Sequence, residues 1–215
     1  MELFTVPAQG LDVPAWFGKL PGMGDFGQRR LAPLFLDLWD TWLQNGLQQL
    51  HAEREDWVAH YLHAPLWFFA LGEEVVSPHP WIGVLMPCVD SVGRYFPLTL
   101  AIELVRSNEP SIDHQMACID HWWQRSAKAA LTALDSNMDA VSFDSYLYSQ
   151  FGKSADLEAR ATSMLALPGS GMSSWFVDAG VTHGAVNTIS SLPGVDGFAV
   201  LFGYANLAIA HRKSQ

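Results

Sequence analysis

One stretch limits the fold more than any other, residues 81–101. Trp81-Ile82-Gly83-Val84-Leu85-Met86-Pro87-Cys88 is an apolar run, and Phe96-Pro97-Leu98-Thr99-Leu100-Ala101 begins a second that continues to residue 105. Runs of this length, closed by turn residues, read as strands buried on both faces. Between them stand Asp90, Ser91, Gly93 and Arg94, the charged and hydroxyl-bearing group of a long apolar region. The turn sets an acid and a base four residues apart at the lip of a core. Pro97 has no N–H to give a ladder, so that end of the second strand is expected at an edge or irregular.

The other elements follow from periodicity and punctuation. Residues 1–13 read as a tail or edge segment, and Ala15–Gly18 as a short strand. Leu20–Gly27 holds Gly22, Gly24 and Gly27 around Asp25 and reads as a loop. From Pro33 to Leu50 the apolar residues Phe35, Leu38, Trp39, Trp42, Leu43, Leu47 and Leu50 recur every three or four positions, which describes an amphipathic helix with Pro33 in its first turn. Residues 51–63 read as a second short helix and Leu66–Leu71 as a strand. Ile112, Met116, Ile119, Trp123, Ala127, Ala130 and Leu134 form a stripe of the same kind, so a long helix packed on a sheet is expected over Ser111–Leu134. Ser142–Phe151, with Ser142 as N-cap, and Asp156–Leu165 read as further helices. Ser173–Val177, Ala185–Ser190 and Gly197–Gly203 read as strands that join the same sheet. The expectation is one α/β domain over residues 1–215, with helices on both faces of a mainly antiparallel sheet.

Composition narrows the class of function. Of 215 residues 49% are hydrophobic and only 16% charged, with nine Trp and twelve Phe, so the chain can fill a large aromatic core and still leave an apolar patch for a partner. The net charge of −10 disfavours nucleic acid and anionic membranes, both of which call for a basic surface. No apolar run approaches the ~20 residues of a membrane helix, and no basic-then-apolar leader opens the chain. Cys88 and Cys118 are the only cysteines and read as reduced, structural thiols. A cytoplasmic setting is expected.

Catalytic constellations are hard to assemble. The glycine-rich loop lacks the Lys-Ser/Thr of a phosphate cradle, and Asp25 would repel a phosphate. His60 and His63 share a helical face but have no third ligand at metal spacing. Asp120 and His121 are adjacent on a helix and point apart. Gly169-Ser170-Gly171 lacks the nucleophile-elbow spacing. Asp25 and Asp90 each precede an arginine by four or five residues, at Arg29, Arg30 and Arg94. An acid beside an arginine is held ionised and makes a poor general acid. No catalytic residue, metal or cofactor is therefore assigned. Two readings of the charged loops stay open. In one, the charges pair with each other and tie the loops together. In the other, Lys19, Asp25, Arg29, Arg30, Asp90, Ser91 and Arg94 form one face offered to a partner protein.

Three segments carry a family resemblance. They are Trp16-Phe17-Gly18-Lys19-Leu20-Pro21-Gly22-Met23-Gly24-Asp25-Phe26, continuing through Arg29-Arg30-Leu31 to Trp39-Asp40-Thr41-Trp42-Leu43; Ala64-Pro65-Leu66-Trp67-Phe68-Phe69-Ala70; and Gly83–Pro87 followed by Asp90-Ser91-Val92-Gly93-Arg94-Tyr95-Phe96-Pro97-Leu98. In this order the chain resembles the TagF (ImpM) family of type VI secretion-associated proteins. The likeness spans about residues 14–105, and no family motif follows residue 137. It implies a three-layer α/β sandwich and a non-catalytic, cytoplasmic accessory protein. Such proteins act as post-translational repressors of the secretion apparatus, beside a threonine-phosphorylation pathway, and are thought to bind its forkhead-associated protein. The alternatives are a small hydrolase using Ser170 or Ser91 with a histidine, and a structural scaffold of the apparatus.

Overall fold

The computed structural model describes residues 4–7, 12–106, 112–151, 167–177 and 187–204. Its centre is a seven-stranded, fully antiparallel sheet in the order β3-β2-β6-β5-β4-β8-β9. The strands are β2 (Ala15–Lys19), β3 (Phe26–Arg29), β4 (Trp67–Leu71), β5 (Trp81–Met86), β6 (Leu98–Glu103), β8 (Met172–Phe176) and β9 (Asn187–Ser190). β1 (Phe4–Thr5) and β7 (Val105–Arg106) form a separate two-stranded ribbon. The central pair is the one expected from residues 81–101. β5 and β6 run in register from Trp81 opposite Glu103 to Met86 opposite Leu98, and every β5 residue is buried.

Helices cover both faces, giving a three-layer α/β sandwich. On one face lie α1 (Pro33–Glu53), α2 (Trp57–His63) and α5 (Val195–Leu201), on the other α3 (Ile112–Asp135) and α4 (Ala140–Phe151). Alternation along the strands sorts the core into two clusters. Phe17, Phe69, Leu71, Trp81, Leu85 and Ala101 meet Phe35, Trp39, Leu43, Tyr61 and Phe198. Trp16, Phe68, Ala70, Ile82, Val84 and Leu100 meet Ile119, Trp122, Trp123, Ala130, Phe143 and Leu147. Pro33 opens α1 as anticipated.

Several elements differ from the sequence reading. α1 continues through residue 53, so α2 starts only at Trp57. Phe26 and Gly27 belong to strand β3, not to the preceding loop. A four-residue strand with one buried position shows no run or alternation in the sequence. The N-cap of α4 is Asp139, whose Oδ1 accepts the Ser142 amide at 2.8 Å, so Ser142 is the third helical residue and not the cap. The expected strand 197–203 is instead α5 and the turn after it. Phe198, Leu201 and Phe202 face the core at helical spacing, and a short apolar run alone cannot separate strand from helix. The helix expected over 156–165 lies outside the described residues.

Candidate functional site

The site begins where β2 ends. Lys19 is the last residue of β2, and the chain then loops through Leu20–Asp25 before returning as β3. Gly22 lets this loop lie flat on the α3–α4 connection. Its amide donates to the Met138 carbonyl at 3.0 Å, and a Cβ there would come within 2.3 Å of the Asn137 oxygen. The second loop is the Asp90–Arg94 turn between β5 and β6. It closes with Gly93 donating to the Asp90 carbonyl and Asp90 donating to the Arg94 carbonyl, each at 3.0 Å. Gly93 takes φ +83°, a region that favours glycine.

The two loops meet. The Ser91 amide donates to the Met23 carbonyl at 3.1 Å, and the Arg94 guanidinium donates to the Gly24 carbonyl. Beneath this contact the Asp90 carboxylate is fully occupied. Oδ2 receives Lys19 Nζ at 2.6 Å and Arg94 Nε at 2.8 Å, while Oδ1 receives the Val92 and Arg94 amides at 3.0 and 2.9 Å. The side chains of Asp90 and Lys19 are 0% and 3% exposed, and that of Arg94 is 55% exposed. Burial by itself raises the Asp90 pKa, but the donors from Lys19, Arg94 and Val92 together outweigh it and hold the carboxyl well below the usual carboxylate range. The Lys19 ammonium also lies 4.3 Å from the centre of the Phe26 ring.

The seven residues singled out from the sequence therefore divide. Lys19, Asp90 and Arg94 form one ion cluster that welds the loops, with Ser91 exposed on the turn. Asp25 and Arg29 lie at the β3 edge, where Asp25 Oδ1 accepts the Phe26 amide and Arg29 Nη1 donates to the Gln28 carbonyl. Arg30 turns the other way, with φ 64°, and reaches the Pro14 carbonyl, Asp144 at 2.6 Å and the Tyr148 ring. Burial works to raise the Asp144 pKa, yet Arg30 and the Trp16 indole bring it below its ordinary value. Asp144 and Tyr148 were not anticipated, and neither were the apolar members of the corner, Phe26 and Val92, at 47% and 66% exposed. A lone apolar residue beside a glycine loop carries no periodic signal.

Other groups weighed for chemistry have local partners. The His60 ring contacts Asp56 at 3.2 Å and the Gly203 carbonyl at 3.2 Å, and His63 Nδ1 contacts the Ala59 carbonyl at 2.7 Å. Among the described residues no group of three metal-ligating side chains converges. Ser170 Oγ is directed at the Glu73 carbonyl, 3.4 Å away, and the histidine that follows it in sequence, His183, lies outside the described residues. Cys88 and Cys118 are not joined in a disulfide, and burial pushes the Cys88 thiol up to about 11. Among the described residues no helix is long and apolar enough to cross a membrane.

Residues 15–149, which include both loops of the corner, match the family model of the TagF N-terminal domain, type VI secretion system-associated. The chain belongs to the TagF family. Its fold is similar to the crystal structure of PA0076 from Pseudomonas aeruginosa PAO1, with a TM-score of 0.69 and 26% sequence identity, over 90% of this chain and 96% of that one. A search of curated proteins returned no match. Lys19, Asp90 and Arg94 all fall within the TagF segment, whereas β8, β9 and α5 lie beyond it and complete the sheet and one helical layer.

Proposed function

We propose that this TagF-family chain is a non-catalytic regulator that represses type VI secretion by binding a component of that system through the corner built on β2, β3 and the Asp90–Arg94 turn. The forkhead-associated protein implied by the family resemblance is the candidate partner. The observation that carries the reading is the construction of the corner. A saturated, buried Lys19–Asp90–Arg94 cluster fixes two loops together, and the surface so fixed shows Ser91, Arg94, Asp25 and Arg29 beside exposed Phe26 and Val92. Apolar anchors with an arginine rim on rigid loops suit protein recognition. A buried, fully hydrogen-bonded carboxylate is poorly suited to proton transfer.

The three ion-paired members of the corner also hold the fold, so the test uses Val92, whose side chain is largely in solvent. Val92→Glu is expected to abolish retention of the secretion component from native lysate while leaving the thermal midpoint within a degree or two. In cells the same substitution should release secretion, and deletion of the chain should do the same. Retention and repression both unchanged in a folded Val92→Glu protein would refute the corner as the binding surface.

A further inference from the structure

Among the described residues β3 is an edge strand, and two of its outward backbone groups are held by adjacent side chains. In an antiparallel pair, residues alternate between exchanging both backbone bonds with the neighbour and directing both away. The Phe26 amide is taken by Asp25 and the Gln28 carbonyl by Arg29. Phe26 and Gln28 are two residues apart, so both direct their groups away from β2, and Gly27 and Arg29 face Gly18 and Trp16 in the ladder. The strand is open to solvent, because Phe26, Gln28 and Arg29 are all exposed. An unpaired edge of this kind is a template for another strand.

The sequence of the edge is complementary to itself. We propose that β3 pairs antiparallel with β3 of a second copy of this chain, about a two-fold axis through Gly27. Only a register that brings outward-facing residues together can form bonds, and centring on Gly27 sets Phe26 opposite Gln28 of the other copy, twice. The same register sets Asp25 opposite Arg29, also twice. The two side chains that occupy the edge in the single chain thereby become each other's partners across the pair. Gly27 meets Gly27 at the axis with no side chain from either copy. It has no alternative residue, since the Trp16 ring stands 2.4 Å from where its Cβ would be. The two exposed Phe26 rings become diagonal neighbours on the opposite face, within reach of each other. A self-complementary patch is what two-fold association requires. The contact is one short strand wide, so the pair is weak and concentration-dependent.

This inference stands apart from the partner-binding reading, although both use Asp25 and Arg29, so a partner on the corner and a second copy exclude each other. The test is sedimentation equilibrium of the full chain over a range of concentrations. Wild type is expected to shift from monomer to dimer. Asp25→Lys and Arg29→Glu each place like charges opposite one another twice and should weaken the dimer about tenfold. Mixing the two single variants sets a lysine opposite a glutamate and an arginine opposite an aspartate, and should restore pairing. The double variant Asp25→Lys/Arg29→Glu should restore it as well. Circular dichroism confirms folding, which these exposed positions leave intact. A wild type that stays monomeric at every concentration overturns the proposal, as does a dimer that neither single variant weakens. Failure of the mixture to recover also overturns it, and that outcome would leave the edge free for a strand of a different protein.

Discussion

Two regions of this molecule bury polar atoms and treat them in opposite ways. At the corner, the Asp90 carboxylate has a donor on every side: an ammonium, a guanidinium and two amides. Along α3, on the far side of the sheet, His121 Nε2, Trp123 Nε1 and Ser126 Oγ are buried with no hydrogen-bond partner among the described residues. The contrast extends to the indoles. On the α1 face, Trp39 donates to Thr99, Trp42 to the Pro193 carbonyl, Trp67 to the Leu201 carbonyl and Trp81 to Ser77. On the α3 face Trp122 finds the Asp12 carbonyl, but Trp123 packs between Phe68 and Phe176 with no acceptor among the described residues. The number of partners, not burial, separates polarity that builds a structure from polarity the structure merely tolerates.

The largest effect should come from breaking the saturated side. Asp90→Ala strands the buried Lys19 ammonium and frees the turn amides, and should cost about 3–5 kcal/mol in urea unfolding. A smaller cost, under about 1 kcal/mol, would mean that the corner is as dispensable as the α3 stripe and would erase the contrast.

Acid sharpens the comparison, because the two regions respond in separate windows. Burial first, and then the charge of Arg125, lower the His121 pKa, with Asp12 opposing. The unfolded chain then takes up the proton before the folded one, so stability present above about pH 6.5 is lost as pH falls through the lowered folded value. Asp90 also has a depressed folded pKa, and its contribution is lost only below the ordinary carboxylate range of about 4. Thermal melts between pH 8 and 3 should show the first loss in wild type and not in His121→Gln, while the second persists in both. Identical profiles for the two proteins would remove His121 from the account.

The smallest effect should have the opposite sign. Ser126→Ala removes a hydroxyl with no partner among the described residues and should leave stability unchanged or raise it by up to about 1 kcal/mol. A loss of more than that would show that Ser126 has a partner or packing role that its geometry does not display.

Much of the contrast was legible in the sequence, but unevenly. The residue 81–101 pair, α1 and α3 follow from long, strictly periodic apolar patterns, and these placed both layers. The corner was legible as two acid-plus-arginine loops, because charges inside an apolar stretch must be paired or presented. Which of them would pair was not. Lys19 sits in β2 with nothing local to mark Asp90, 71 residues away, as its partner. Arg29 and Arg30 are neighbours in sequence, yet the left-handed backbone at Arg30 sends them to different places. α5 was read as a strand because seven residues offer too few turns to reveal a period. The orphaned atoms on α3 left no trace at all, since a serine or an indole at a core position looks the same with or without a partner.

Beyond the last residue of β5, the Tyr61 hydroxyl does the work of a neighbouring strand. It donates to the Cys88 carbonyl at 2.9 Å and accepts the Cys88 amide at 3.0 Å. The start of the Asp90 turn is thus pinned by a side chain from α2 as well as by the Phe96 amide, which donates to the same carbonyl at 3.1 Å, and α2 cannot lift away without leaving the Cys88 amide unpaired. The Cys88 thiol itself lies on the other side of the chain, in the core beneath α3 and α4, and burial pushes it up to about 11. It therefore stays inert towards an alkylating reagent while that core is closed. The rate at which the thiol is labelled becomes a clock for the opening of the layer opposite α2.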